Sequence, residues 1–313
     1  MDPSSKIYIA GHTGLVGSAL LRLLQSRGYT NLLLRTHRDL DLTDQYTTRS
    51  FFDHERPEYV FMAAAKVGGI LANSTQKADF LYSNLQVQTN IIDASYRSGV
   101  KKLLFLGSSC VYPKNAPQPM KEEYFMTGPV EESNDAYAIA KIAGVYMCQG
   151  YNSQYHTNFV SVMPTNVYGV NDNFNLSDSH VIPAMIRQLH EAKIHSVPSV
   201  SFWGTGEAKR EFMYIDDLAD ACLFVMDHHD GSQIVNIGTG EDITLRDLSS
   251  LIQSIVGYSG TILWDSSKPT GVLRKQLDVT LLHSLGWRHT MDLRKGIETT
   301  YQWYLTNLSS ARR

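Results

Sequence analysis

The sequence has few cysteines, no long apolar run and almost no excess charge, and each shortage excludes a class of protein. Its 313 residues include three cysteines, at positions 110, 148 and 222. Such a sparse, odd set argues against a disulfide framework or a cysteine-based zinc site and is typical of a reducing compartment. We see no secretory signal and no run of the roughly 20 apolar residues that a membrane span needs. We therefore expect a cytoplasmic protein without a membrane partner.

The charge balance gives no reason to expect a nucleic acid partner. Lys and Arg number 28 against 31 Asp and Glu, for a net charge of −3, and no long basic run occurs. Hydrophobic residues make up 43% of the chain and charged residues 19%. These values are typical of a globular protein with a sizeable core, and the length suits two domains or one large one.

A predicted strand, a glycine-rich turn and a predicted helix open the chain. The apolar residues 6–10 precede Gly11-His12-Thr13-Gly14-Leu15-Val16-Gly17, and residues 18–28 carry leucines at helical spacing. Glycines let a backbone approach a pyrophosphate, and a helix N-terminus supplies free N–H groups. A plain tight turn is the alternative, because the first gap between glycines is one residue longer than in the commonest fingerprint. We interpret residues 11–17 as a dinucleotide-binding loop.

The second predicted strand covers residues 31–34. The residues that follow it bear on the choice of cofactor. Arg35 and Arg38 suit the 2′-phosphate of NADP, whereas NAD sites usually place an acidic residue here. A solvated loop is the alternative for both arginines. Asp41 complicates the choice, and Asp41 with Leu42 is also a candidate to border the adenine. NADP, supplied as NADPH, is the favoured cofactor.

Strands and helices alternate through the rest of the first 169 residues. The pattern predicts an α/β fold, a Rossmann-type doubly wound parallel sheet with its site at the C-terminal ends of the strands. After Gly169 the pattern changes. We expect a cofactor domain over 1–169, to which 213–240 return, and a smaller C-terminal α/β substrate domain over 170–212 and 241–313. Helices are predicted near residues 80–98, 181–193, 218–226, 245–256 and 291–305.

Tyr137 and Lys141 are four residues apart on a predicted helix and therefore project from one face. A free tyrosine titrates near ~10, and a neighbouring cation favours the phenolate. The pair suits proton transfer to a carbonyl oxygen that receives a hydride. An ordinary surface pair is the alternative, since this spacing is frequent by chance. Asn134 or Asp135 is predicted to cap the helix.

The strand at 103–106 ends in Ser108, Ser109 and Cys110. With the glycine loop and the Tyr-Lys pair, this order resembles the extended short-chain dehydrogenase/reductases that act on nucleotide sugars, nearly from end to end. Several segments resemble one branch of this family in particular, the enzymes that epimerise and reduce GDP-4-keto-6-deoxyhexoses. These segments are 63–70, 106–113, 137–144, 162–169, 179–183 and 210–212.

The resemblance implies a chemistry for this site. GDP-4-keto-6-deoxy-D-mannose would be inverted at C3 and C5, then reduced at C4 to GDP-L-fucose. The ketone acidifies both carbons, so inversion needs a base on one face and an acid on the other, and these roles fall on Cys110 and His180. Tyr137 would protonate the new alkoxide, Lys141 would hold its charge state, and Ser108 would hydrogen-bond the same oxygen. By themselves Cys110 and His180 are more typical of a core and a loop residue.

The resemblance also assigns binding residues. Those implied for the cofactor, besides residues 11–17 and the second-strand set, are Ala64, Ala65, Lys141, Pro164, Asn166 and His180. Those implied for the substrate are Ser109, Asn166, Arg187, Trp203, Arg210 and Lys275. Taken singly, each cation suits a solvated surface, and Trp203 suits the core equally well.

Two positions depart from the family, and no metal is expected. Thr13 stands where Arg is common, which weakens the preference for NADPH over NADH, and Thr270 stands where Asp is common, which weakens the identity of the sugar. His228 and His229 would diverge from each other, so we interpret them as surface residues.

Two other functions stay open. A simple 4-epimerase or 4-reductase on another nucleotide sugar would keep the Ser, Tyr and Lys, but it would not need Cys110 together with His180. A non-catalytic NADP-binding protein would be expected to lose the Tyr-Lys pair, which this chain retains. The resemblance further implies a homodimer formed through the long helices near 80–98 and 135–155.

Overall fold

The computed structural model describes residues 1–176, 178–268 and 272–308, apart from the side chains of residues 70 and 71. Its strands are β1 (Ile7–Ala10), β2 (Leu32–Leu33), β3 (Tyr59–Met62), β4 (Lys102–Leu106), β5 (Phe159–Pro164), β6 (Asn166–Tyr168), β7 (Ser199–Trp203), β8 (Lys209–Tyr214), β9 (Val235–Ile237), β10 (Asp242–Thr244), β11 (Thr261–Asp265) and β12 (Arg274–Lys275). Its helices are α1 (Leu15–Ser26), α2 (Gln45–Glu55), α3 (Ile70–Thr75), α4 (Lys77–Ser98), α5 (Asp135–Tyr155), α6 (Val181–Ile194), α7 (Ile215–His228), α8 (Leu245–Val256), α9 (Thr280–Ser284) and α10 (Leu293–Thr306).

Six strands form a parallel sheet in the order β2-β1-β3-β4-β5-β9. The chain leaves β1 for β2 on one side and then crosses back to β3 on the other. At such a switch point the connections diverge and open a crevice beyond the C-terminal ends of the strands. The predicted doubly wound parallel sheet is therefore confirmed, and its crevice lies where the glycine loop follows β1.

Helices cover both faces of this sheet. Ile7 and Ile9 of β1 belong to the core formed with α1 and α7, whereas Tyr8 and Ala10 belong to the core formed with α4 and α5. The alternation follows from the two-residue period of a strand. Because both faces are buried, the strand has the continuous apolar sequence of a parallel sheet rather than an alternating one.

A smaller sheet lies next to the C-terminal end of β5. β8 pairs in parallel with β6 and β12 and antiparallel with β10, and β6 follows β5 after a single residue. The sequence did not predict β6, β10 or β12, because strands of two or three residues are too short to show a period. β9 returns to pair with β5, while the division into two domains stays a prediction.

Helix boundaries follow their capping residues. α8 has the predicted bounds because the Thr244 side chain accepts from the N–H of Asp247 and Gly257 ends the helix in a left-handed conformation. α2 was not predicted. His228 is exposed, as predicted, but His229 is buried and its Nε2 lies 3.0 Å from the carbonyl oxygen of Gln233. The surface assignment of His229 was wrong, because the chain turns inward after α7. Among the helices in the described ranges, none has the length and apolarity needed to cross a bilayer.

A buried carboxylate ties the smaller sheet to its surroundings. Glu211 on β8 is fully buried. Its Oε1 accepts from the backbone N–H groups of Thr239 at 2.6 Å and Gly240 at 2.8 Å, and its Oε2 accepts from Leu277 at 2.8 Å. Burial raises the pKa of Glu211, while these donors act to lower it. One side chain thus fixes β8, the turn after β9 and the segment after β12.

We expect Glu211→Gln to lower the free energy of unfolding by about 1–3 kcal/mol, since the amide NH₂ would face a buried backbone N–H. Denaturant unfolding measures the change. The matched control is Glu241→Gln, on an exposed residue of the same turn, which should change stability by less than about 0.5 kcal/mol. Equal losses in the two variants would contradict this role of Glu211.

Candidate active site

Close backbone contacts explain the glycines of the loop after β1. Gly11 has φ +85°, and a Cβ there would lie 2.8 Å from the Cα of Ala64. A Cβ on Gly17 would lie 2.1 Å from the carbonyl oxygen of Gly11. The N–H of Gly14 donates to that same oxygen at 3.0 Å, and Gly14 precedes α1 without a side chain to cap it. The loop therefore presents backbone N–H groups at the start of α1, as a phosphate site requires.

The other residues of the loop take different positions. Leu15 and Val16 pack on the core, whereas Thr13 is exposed. The Nδ1 of His12 is buried and has no partner among the described residues, and burial lowers its pKa. Asn171, which the sequence did not single out, donates from Nδ2 to the carbonyl oxygen of Thr13 at 3.2 Å. Asn171, which follows β6, thus holds the glycine loop by a hydrogen bond to its backbone.

The structure distinguishes between the two arginines after β2. Arg35 donates to Glu55 at 2.7 Å, so its charge is already paired inside the protein. Arg38 is exposed on the turn beyond it. Asp41 accepts hydrogen bonds within its own turn, and Leu42 is buried. Of the two cations, Arg38 is the more available to an incoming anion.

Four more of the residues predicted to contact the cofactor lie at or just beyond the C-terminal ends of β3 and β5. Ala64 and Ala65 follow β3, and Ala64 touches Gly11. Pro164 ends β5 and Asn166 begins β6. The Nδ2 of Asn166 donates to the carbonyl oxygen of Glu211 at 2.9 Å. The sheet topology brings these residues to the same edge as the glycine loop.

Tyr137 and Lys141 share a face of α5, as predicted. The Lys141 Nζ lies 5.8 Å from the centre of the Tyr137 ring and donates to the carbonyl oxygen of Leu106 at 2.7 Å. Lys141 is 3% exposed, and burial lowers its pKa to about 8. Lys141 thus lies over the Tyr137 ring, and its ammonium is hydrogen-bonded to the backbone of Leu106.

The expected lowering of the phenol pKa is not found. Burial raises the pKa of Tyr137, the nearby Cys110 raises it further, and only a hydrogen bond with Ser108 acts to lower it. The Ser108 Oγ also accepts from the N–H of Cys110 at 3.2 Å, and Ser109 is buried. With its pKa raised, the Tyr137 hydroxyl keeps its proton at neutral pH.

Hydrogen-bond donors surround the sulfur of Cys110. The Nζ of Lys275 lies 3.3 Å from Sγ and the Nδ2 of Asn134 lies 3.1 Å from it. Burial acts to raise the pKa of Cys110, but the Lys275 ammonium and hydrogen bonds from Ser108, Lys275 and Asn134 outweigh it and lower the pKa. By contrast, burial raises the pKa of Cys148 to about 12. A cation and hydrogen-bond donors at a sulfur are surroundings that lower a thiol pKa and favour its thiolate form.

Asn134 is a residue whose contact the sequence did not predict. It occupies the N-cap position of α5, yet within the described chain its side chain makes no cap bond. Asp135 is the first residue of the helix, and its carboxylate accepts from the neighbouring N–H of Ala136 at 2.7 Å and from the Lys77 ammonium. The predicted cap was wrong, because the Asn134 amide donates to the Cys110 sulfur instead.

His180 immediately precedes α6 and is exposed. Desolvation by the surrounding protein lowers the pKa of His180, the Asp178 carboxylate acts to raise it, and the Lys275 ammonium lowers it further. The N–H of Gly69 donates to the carbonyl oxygen of Asp178 at 2.8 Å, which braces this segment from the loop after β3. Lys275 is thus a shared neighbour of Cys110 and His180.

The predicted substrate-binding cations divide into two groups. Arg210 is directly opposite Lys275 on paired strands, so the two side chains share a face of the smaller sheet. Burial lowers the pKa of Arg210. Arg187 is instead bonded to Glu191 at 2.7 Å on its own helix. Trp203 is 55% exposed, which excludes the core alternative, and Thr270 lies outside the described residues.

Residues 7–238 match the model of the NAD dependent epimerase/dehydratase family. The chain belongs to that family. A GDP-L-fucose synthase 1 of Arabidopsis thaliana is 54% identical over 307 residues, which cover 98% of this chain and 95% of that protein. Two solved structures are similar to this protein over nearly the whole chain.

The first of these structures is a GDP-6-OMe-4-keto-L-xylo-heptose reductase from C. jejuni, with a TM-score of 0.94 and 40% identity; the match covers 98% of this chain and 99% of that one. The second is a GDP-L-fucose synthetase from Naegleria fowleri bound to NADP, with a TM-score of 0.93 and 27% identity; it covers 100% and 98% of the two chains.

Two alanine substitutions distinguish the effect of backbone strain from the effect of a steric clash within the glycine loop. Gly11→Ala and Gly28→Ala both force alanine into the left-handed region, at a cost of about 1–2 kcal/mol, but a Cβ on Gly28 meets nothing within 4 Å. We expect Gly11→Ala to weaken NADPH binding at least roughly tenfold, measured by fluorescence titration. Gly28→Ala should leave the affinity unchanged, and weakening in both variants would refute the loop assignment.

Proposed function

We propose that the protein converts GDP-4-keto-6-deoxy-D-mannose to GDP-L-fucose, by inversion at C3 and C5 and then NADPH-dependent reduction at C4. One observation carries the proposal. Cys110, whose sulfur contacts Lys275, lies beside the Ser108–Tyr137 pair, so a carbon-acid base and a proton donor for a ketone oxygen adjoin each other. The Arabidopsis relative, at 54% identity over 98% of this chain, supports the substrate.

In the inversion steps, the Cys110 thiolate removes the proton from C3 or C5 and the electron pair moves onto the C4 oxygen. Tyr137 and Ser108 hydrogen-bond that oxygen as its charge grows. His180 gives a proton to the opposite face of the same carbon. An imidazolium is needed for this, and both Asp178 and the diphosphate of a substrate bound next to Lys275 would favour it.

In the reduction step, NADPH held at the loop of residues 11–17 would supply the hydride to C4. The Tyr137 hydroxyl transfers its proton to the new alkoxide, and its raised pKa keeps that proton in place until the alkoxide forms. Lys141 holds a positive charge below the ring and favours the phenolate that results. A buried ammonium with a pKa of about 8 performs this role best below that pH.

We assign the binding roles from charge and exposure. Arg210 and Lys275 share a sheet face beside the thiolate and would bind the diphosphate. The exposed ring of Trp203 would stack on the guanine or its ribose, and Arg187 would reach the diphosphate only by leaving Glu191. At the cofactor, Arg38 would bind the 2′-phosphate, so NADPH should be used in preference to NADH.

A second function is favoured by one observation. The C. jejuni protein with 40% identity is described as a reductase of a GDP-4-keto-heptose. A reductase of that kind would use Ser108, Tyr137 and Lys141 without inverting C3 or C5. It would oxidise NADPH with a GDP-4-keto sugar but leave the C3 and C5 hydrogens unexchanged.

The inversion and the reduction can be tested separately, with one substitution among the residues of each half-reaction. In D₂O, NMR follows hydrogen exchange at C3 and C5, and absorbance follows NADPH oxidation. We expect Cys110→Ser to slow exchange about 10²–10⁴-fold, because a serine hydroxyl is a far weaker carbon base, while the capacity to reduce an inverted ketone is kept. Tyr137→Phe should retain exchange and lose reduction by a similar factor.

The wild-type protein decides between the two functions in the same assay. Formation of the L-fucose configuration together with exchange at both carbons supports the proposal. Reduction without exchange supports the simple 4-reductase and returns Cys110 and His180 to structural roles. Unchanged reduction by Tyr137→Phe would remove that residue from the mechanism.

We also propose that the protein is a cytoplasmic homodimer that associates through α4 and α5. Apolar and aromatic side chains are exposed on these helices: Tyr82 is 64% exposed, Ile139 50% and Tyr146 52%. Ile139 and Tyr146 are seven residues apart and therefore lie on one face of α5. Exposed apolar groups on two adjacent helices are typical of a subunit interface.

We expect Tyr82→Arg to convert a dimer to a monomer, because it would place an unpaired charge within the interface. Light scattering after size exclusion measures the mass. The matched control is Tyr46→Arg, on an aromatic residue of α2 that is 81% exposed, and this variant should remain dimeric. A monomeric wild-type protein, or a Tyr82→Arg dimer, would refute the interface.

A further inference from the structure

We propose that Asn134 is a catalytic residue of the inversion steps, whose amide NH₂ donates a hydrogen bond that holds the Cys110 sulfur as a thiolate. The inference rests on the proposed function for its place in the reaction. The contact itself does not, since it joins two side chains of this structure: the Asn134 Nδ2 lies 3.1 Å from the Cys110 Sγ.

The position of Asn134 makes this contact informative. An asparagine at an N-cap ordinarily turns its side-chain oxygen onto the first N–H groups of the helix. Asn134 forgoes that bond, and its Oδ1 is buried without a hydrogen-bond partner in the part of the chain that the structure describes. Among the described residues the Asn134 oxygen has no partner, whereas its NH₂ group contacts the Cys110 sulfur. The contact with the sulfur is therefore what orients the amide.

The other neighbours require the sulfur to be an acceptor. An ammonium has donors only, so the Lys275 Nζ at 3.3 Å requires Sγ to accept. The N–H of Cys110 already donates to the Ser108 Oγ, which leaves the Ser108 hydroxyl hydrogen free to point elsewhere. A neutral thiol is a weak acceptor, whereas a thiolate suits donors converging from several elements.

The charged and titratable groups around the sulfur come from three elements. Lys275 comes from β12 and Tyr137 from α5, and His180, which precedes α6, lies close enough to Lys275 to sense its charge. Lys275 stabilises the thiolate by its charge. Asn134 has no charge and adds a directed hydrogen bond, so its removal should change the thiolate fraction without altering the net charge of the site.

The test is the pH dependence of alkylation of Cys110 by iodoacetamide, followed by mass spectrometry of the peptide that contains it. Cys148 and Cys222 are fully buried and serve as unreactive internal controls. We expect Asn134→Ala to raise the midpoint by about one pH unit, which means roughly tenfold less thiolate below the midpoint. Asn134→Asp, which brings a negative charge to the sulfur, should raise it further.

The matched control is Asp135→Asn, which changes a charge at the start of α5 on the residue next to Asn134. Asp135 pairs with Lys77 rather than with Cys110, so the alkylation midpoint should stay unchanged. The same variants are then assayed for hydrogen exchange at C3 and C5. Asn134→Ala should exchange about tenfold more slowly at neutral pH and recover as the pH rises, which a merely structural defect would not do.

An alkylation profile of Asn134→Ala identical to that of the wild type overturns the proposal, whatever the activity of the protein. A raised midpoint with no recovery of exchange at high pH overturns the catalytic role. A raised midpoint in a protein that never exchanges these hydrogens, wild type included, supports the hydrogen bond and refutes the proposed function, so the two failures are distinguishable.

Discussion

The contact between the Lys275 ammonium and the Cys110 sulfur is the interaction on which the rest of the site depends. Without a cation, a buried sulfur is a neutral thiol, as Cys148 illustrates. The backbone after Lys275 is held on both sides. Glu211 accepts from Leu277, and Met120 bonds with residues 276 and 278 at 2.8 Å each. The smaller sheet thus places Lys275 against Cys110, although the two residues are 165 positions apart in the sequence.

A thiolate has a consequence for the neighbouring reduction chemistry. Its negative charge raises the pKa of Tyr137, which burial has already raised. In the proposed function, the phenol therefore keeps its proton while the sulfur acts as the base, and only a strongly basic alkoxide removes that proton. The two sets of residues can share one ketone because one charge sets both protonation states.

Local rules account for the parts of the molecule that the sequence predicted. The strand, glycine turn and helix at residues 7–26 and the bounds of α8 follow from periodicity and capping, which act over a few residues. The same rules failed where a side chain had a distant alternative. Asn134 stands at a helix start but bonds to Cys110, and His229 ends a helix but turns inward.

The sequence by itself determined the α/β alternation, the glycines of the loop after β1 and the shared helix face of Tyr137 and Lys141, because each depends on spacing along the backbone. The tertiary structure alone decided which charges meet. It pairs Arg35 with Glu55, leaves Arg38 exposed and places Lys275 against Cys110. Such partners are set by how strands of different segments align, and a strand as short as β12 carries no local signal of its neighbour.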